Sequence, residues 1–173
     1  MPKRKVLKKP LFYFEPLTPW DSIAVWIYGI ATIVFAVYNY YGTSSNRVAF
    51  LIFYTLTPQV FNYLLNYKSL RNLKSFLIWC GFALVHIILF FFLKNDPVYY
   101  RARNPLLNSI LLLFLYQLLR IASRKIQSKE LAMPSKDFKD LFDNGDVVFW
   151  DFIFFLIYWG SLVSLTLLAL GKI

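Results

Sequence analysis

The stretch VAFLIFYTLTPQVFNYLLN, residues 48–66, decides how many times this chain crosses a bilayer. As a helix it is long enough to span ~30 Å of hydrocarbon. It is also the least apolar of five long hydrophobic segments, and a proline sits at its centre. Thr55, Gln59, Asn62 and Asn66 recur at spacings of four, three and four, which a helix places on one face. That face is expected to turn away from lipid, and Pro58 to kink the helix and free a backbone carbonyl. Read as a crossing, the stretch makes five spans; read as a re-entrant or interfacial segment, it leaves four.

Outward from this stretch the composition is that of a membrane protein. Of 173 residues, 58% are hydrophobic, 20% are aromatic and only 16% are charged. A single soluble core of that length cannot bury so much apolar surface. The apolar residues fall in blocks near 20–40, 48–66, 75–93, 104–121 and 148–170. The expected fold is an all-α, polytopic bundle of about five transmembrane helices. It divides into a basic cytoplasmic segment at 1–19, transmembrane helices 1–4 over 20–122, a cytoplasmic loop with a short amphipathic helix at 123–147, and transmembrane helix 5 over 148–173.

The net charge of +10 does not point to nucleic acid, because the cations lie before and between the apolar blocks. With five spans and the N-terminus inside, fourteen of the nineteen Lys and Arg residues face the cytoplasm. This asymmetry predicts an N-inside, C-outside topology. Met1 to Lys9 is basic, but the first apolar run lacks a small-x-small cleavage site and reads as an uncleaved span. Leu11 to Phe14 extend the basic tail with apolar and aromatic residues suited to the cytoplasmic leaflet. Gly29 and Ala31 read as small packing positions on the first span.

The longest polar interval runs from Ile121 to Asp151. Within it, Phe138, Leu141 and Phe142 share one face of a short helix that Asn144-Gly145 ends, a pattern suited to docking on a membrane or a partner. Trp20-Asp21-Ser22-Ile23 and Trp150-Asp151-Phe152-Ile153 resemble each other, each setting an interfacial Trp beside an acid that favours a helix start. Asp151 either serves its own helix N-terminus or pairs with Arg120 or Arg124.

His86, the only histidine, falls near the depth of Thr55 and Gln59, and a structural role fits it better than proton carriage because the spans hold no central acid or base. Cys80 is the sole cysteine, so no internal disulfide forms. No zinc motif, phosphate-cradling glycine loop or nucleophile elbow is present, and no catalytic residue, metal or cofactor is expected. The expected function is that of a non-catalytic subunit or assembly factor in a bacterial cytoplasmic membrane. Its expected partners are the lipid bilayer and hetero-oligomeric membrane proteins, and Thr55, Pro58, Gln59, Asn62, Asn66 and His86 read either as packing positions within the bundle or as a docking face. One alternative is a homo-oligomeric channel or facilitator lined by the same polar face. Another is a membrane-bound enzyme using Asp143, Asp146 and Asp151.

Overall fold

The computed structural model describes residues 10–41, 44–133 and 148–171. Among them five long helices form an antiparallel-rich bundle: α1 (Pro19–Tyr41), α2 (Ser44–Leu64), α3 (Leu73–Phe92), α4 (Asn108–Gln127) and α5 (Phe149–Ala169). Short 3₁₀ turns carry the chain between α2 and α3 and between α3 and α4. Four segments, Pro19–Tyr41, Leu73–Asn95, Asn104–Gln127 and Phe149–Ala169, are long and apolar enough to cross a membrane. The protein is thus a multi-pass, all-α membrane bundle.

The helix that hydropathy leaves doubtful is α2, and its packing resolves the count. Ring contacts run the length of the α1–α2 pair, with Tyr38 on Phe50, Phe35 on Tyr54, Tyr28 on Tyr54 and Trp20 on Phe61. The partner number rises steadily as the α1 number falls, so α2 runs antiparallel to α1 over the same depth. Its 21 residues make a rod ~31 Å long. A re-entrant segment would turn back partway, so the four-span reading is set aside. The low apolarity of α2 follows from its place: Leu51, Tyr54, Thr55, Gln59, Asn62 and Tyr63 are buried against neighbours. Lipid-facing apolar residues fall chiefly on α1, α3 and α5, for example Ile30, Ile33, Ile88, Phe91, Leu156 and Ile157.

Local chemistry sets the helix ends. Asp21 Oδ2 accepts from Thr18 N and Thr18 Oγ1, each at 2.8 Å, and Thr18 Oγ1 accepts from Asp21 N at 3.1 Å. This reciprocal cap starts α1 where the sequence places it. Asp151 repeats the acid's half of the device on α5, accepting Val148 N at 3.0 Å, while its own N–H donates to the Val148 carbonyl at 2.8 Å because valine has no side-chain acceptor. Asn72 Oδ1 accepts from Lys74 N at 3.1 Å and starts α3 at Leu73, two residues earlier than expected. The largest boundary difference is in α4, which continues to Gln127 and ends at Ser128 in the left-handed region, φ 54°. It outlasts its apolar run because Arg120 and Ser123 bond inward instead of meeting water.

The segment before α1 also differs from expectation. Residues 10–18 do not end in a simple tail: Tyr13 O accepts Leu73 N at 2.9 Å, and Glu15 O accepts Asn72 Nδ2 at 3.0 Å. Phe12 packs on Phe76 with ring centroids 6.0 Å apart. The segment is a strap across the start of α3.

Five crossings put the two ends of the chain on opposite faces of the membrane. In a Cys80→Ala background, Lys172→Cys is expected to react with an impermeant thiol reagent on intact cells, and Lys5→Cys only after lysis. Labelling of both from one side contradicts the five-span fold.

Candidate functional site

The polar face of α2 meets all four other helices at one place. Pro58 has no N–H, so the carbonyl four residues earlier, that of Tyr54, has no intrahelical donor. Tyr28 on α1 supplies one, its hydroxyl lying 3.1 Å from Tyr54 O. The same hydroxyl is 2.6 Å from His86 Nε2 on α3, and His86 Nδ1 is 2.6 Å from Ser109 Oγ on α4. Gln59 Nε2, back on α2, donates to Ser109 Oγ and to Pro105 O, both at 3.0 Å. Tyr158 on α5 donates to Gln59 O at 2.7 Å.

With an uncharged ring, these bonds admit one direction that satisfies the Tyr54 carbonyl. Gln59 donates to Ser109, Ser109 to Nδ1 of His86, Nε2–H to Tyr28, and Tyr28 to the Tyr54 carbonyl. In this order each proton is used once, and His86 is uncharged with its hydrogen on Nε2. With the hydrogen on Nδ1, Tyr28 would donate to Nε2 and the Tyr54 carbonyl would again lack a donor. Buried polar groups in a membrane need such partners, because neither lipid nor water supplies them.

The stripe is therefore an internal packing surface. Thr55, Gln59, Asn62, Asn66 and His86 are all buried within a single chain. Thr55 donates to Leu51 O at 2.7 Å, and Asn66 Nδ2 donates to Asn62 Oδ1 at 3.1 Å. Of the two readings of this face, packing within the bundle is the one its burial against the chain's own α3, α4 and α5 supports. A cavity of about 10 Å³ lies among Tyr28, Gln59, Asn62, His86, Ser109 and Tyr158, room for about one water.

A second cluster closes the basic end. Arg120 on α4 is fully buried, which a lone guanidinium would not tolerate. Its Nε lies 2.7 Å from Glu130 Oε2, its Nη2 donates to Leu11 O, and its guanidinium stacks on Phe12 at 5.8 Å. Arg124 Nη1 reaches Glu130 Oε1 at 2.9 Å, while Arg71 Nη2 donates to Leu131 O at 2.7 Å. The expected pair between Asp151 and Arg120 or Arg124 is corrected, because the carboxylate beside these arginines is Glu130. The left-handed turn at Ser128 folds Glu130 back onto α4. Burial alone would raise the Glu130 carboxyl, but the hydrogen bond and charge of Arg120, with Arg71 and Arg124, outweigh it and hold the group below the usual glutamate range.

Asp151 has a different task. Besides Val148 N, it accepts Gln127 Nε2 at 2.8 Å and Ala132 N at 3.2 Å. The backbone just before and just after residues 133–147 is thereby held on one carboxylate. The predicted docking residues Phe138, Leu141 and Phe142, and the acids Asp143 and Asp146, lie outside the described residues. Among the described residues no group of three or more His, Cys, Asp or Glu side chains could hold a metal ion.

Tyr28, Tyr158 and Glu130 were not singled out by sequence reasoning. Tyr28 could have been sought as the donor for the carbonyl that Pro58 frees; Glu130 becomes visible only with the reversal at Ser128. Compared with protein-family models, with curated proteins and with solved structures, the chain matches none.

Two outcomes follow from this geometry. Tyr28→Phe and Ser109→Ala remove bonds on opposite sides of the His86 ring, so their effects on unfolding in bicelles are expected to couple by about 0.5–1 kcal/mol. Strict additivity would break the chain into independent contacts. For Glu130, a lowered folded value means stability that is present above the ordinary glutamate range and lost as pH falls through the folded value. Glu130→Gln is therefore expected to cost about 3 kcal/mol at pH 7, with the gap closing below about pH 4. A gap unchanged down to pH 3 contradicts the clasp.

Proposed function

We propose that the chain is a non-catalytic integral-membrane subunit or assembly factor, seated in the cytoplasmic membrane of a bacterium with its N-terminus inside. The support for orientation is the charge asymmetry of the sequence: with five spans and the N-terminus inside, fourteen of nineteen Lys and Arg residues fall in the inner segments. The reading of role rests chiefly on one observation: Tyr28, His86, Ser109 and Gln59 at the centre of the bundle bond to one another beside room for about one water, with Gln59 Oε1, Tyr63 Oη and Asn66 Oδ1 unpartnered among the described residues, while the outward faces are apolar. A channel between copies would need Thr55, Gln59, Asn62 and His86 on a shared surface, and these residues are buried inside each chain.

With the α2 stripe internal, a partner needs another surface. The groove between α4 and α5 meets that need, lined by Leu111, Phe114, Leu118, Leu156, Gly160 and Ser164. Gly160 and Ser164 are exposed on α5 one helical turn apart, the spacing that lets a second transmembrane helix approach closely. Apart from its own helix backbone and chain neighbours, no atom of the described residues lies within 4 Å of where a Cβ on Gly160 would sit, so packing among them does not require the glycine. The occupant this reading assigns is one transmembrane helix of a partner protein.

Gly160→Leu is expected to leave the unfolding temperature unchanged and to cut recovery of the partner in gentle-detergent purification by tenfold or more, about 1.4 kcal/mol. Gln59→Leu should instead lower stability. Native masses showing only copies of this chain, together with solute flux in liposomes, would sink the subunit reading.

A further inference from the structure

At the end of the bundle opposite Glu130, an open notch of about 330 Å³ lies between the 3₁₀ connection that precedes α4 and the last turn of α5. Tyr100, Arg101, Arg103, Asn104, Leu168, Ala169 and Gly171 line it, two cations and no acid. We propose that this notch binds the phosphate group of an anionic glycerophospholipid.

The Arg103 guanidinium is set in place by the fold, and that of the exposed Arg101 lies over Gly171. Arg103 Nη1 donates to Leu93 O at 3.0 Å, and its guanidinium lies over Phe90 at 5.3 Å. Its Nε is buried and makes no hydrogen bond among the described residues. Arg101 lies across Gly171, whose φ of +64° and missing side chain leave the room: a Cβ there would come within 2.9 Å of Arg101 Nη1. The nearest acid in sequence, Asp96, is engaged, accepting Val98 N at 2.9 Å.

A cation beside a helix C-terminus is commonly explained by the helix dipole. That accounts for one arginine here, and weakly, because Asn104 Nδ2 already donates to Ala169 O at 2.8 Å. It does not account for the second arginine or for the open volume between the two. Planar guanidinium groups match the paired oxygens of a phosphate. The depth also fits. Helix ends and the exposed ring of Tyr100 mark the membrane boundary, where lipid phosphates lie, and Leu168 offers an apolar wall to the glycerol and upper acyl chain. The site needs only a leaflet surface and does not depend on which face of the membrane is cytoplasmic.

The test uses the full-length chain, delipidated in mild detergent and titrated separately with phosphatidylglycerol, phosphatidylcholine and inorganic phosphate under native mass spectrometry. Phosphatidylglycerol is expected to bind in preference to phosphatidylcholine. Arg101→Gln should weaken it about tenfold, as for loss of one charged hydrogen-bonding group, and Arg101→Gln/Arg103→Gln should abolish the preference. Gly171→Ala should weaken binding by displacing the Arg101 guanidinium, and Lys94→Gln should leave it unchanged. If Arg103→Gln does not fold, Arg101→Gln and Gly171→Ala decide. Unchanged phosphatidylglycerol binding in both, equal binding of the two lipids, or binding of inorganic phosphate with no lipid retained would each overturn the proposal.

Discussion

The bundle is organised by a hydrogen bond that α2 cannot make for itself. Proline at position 58 leaves the Tyr54 carbonyl without an N–H in a setting where lipid offers no substitute. The carbonyl takes a tyrosine hydroxyl from α1, and that hydroxyl fixes the His86 ring, which fixes Ser109 and then Gln59. A defect in one helix thus becomes the place where four helices are joined, with α5 added through Tyr158. Individual bonds of this kind contribute little, averaging ~0.6 kcal/mol in membrane proteins. Their consequence here is geometric. Packing among apolar helices in lipid is permissive about rotation and register, whereas a directional chain of donors admits one arrangement.

The basic end uses charge in the same spirit. Arg120 is tolerable in the interior because Glu130, the Leu11 carbonyl and the Phe12 ring surround it. Those partners come from two parts of the chain, so burying one guanidinium fastens the N-terminal strap and the reversal after α4 together. Asp151 then gathers Gln127, Ala132 and Val148. The long polar interval is anchored at its two flanks by one carboxylate on α5.

How much of this was legible depended on the range of the interaction. Local signals carried through: the Thr18–Asp21 cap, the proline-freed carbonyl and the single polar face of α2 all follow from spacing within one helix. The surroundings of that face did not. Periodicity says that Thr55, Gln59 and Asn62 share a side, but not whether the side meets another protein or another part of the same chain. Likewise Arg120 and Arg124 announced an acid partner, but spacing left Asp151 open between that pair and its own helix start, and the left-handed turn at Ser128 that brings Glu130 to them has no strong sequence signal. Helix α4 outran its apolar run for a related reason, since polarity marks water only when no buried partner exists. Exposed features such as Gly160 and the Arg101–Arg103 notch became meaningful only once the interior had been accounted for.

The chain contains a single histidine, which allows its central hydrogen-bonded chain to be read at one residue. Solid-state nitrogen NMR of the ¹⁵N-histidine-labelled protein in lipid should show an uncharged ring with hydrogen on Nε2. Tyr28→Phe should perturb the Nε2 signal first and Ser109→Ala the Nδ1 signal first. A ring protonated on Nδ1, or on both nitrogens, would contradict the order of donors that begins at Gln59 and ends at the carbonyl Pro58 leaves free.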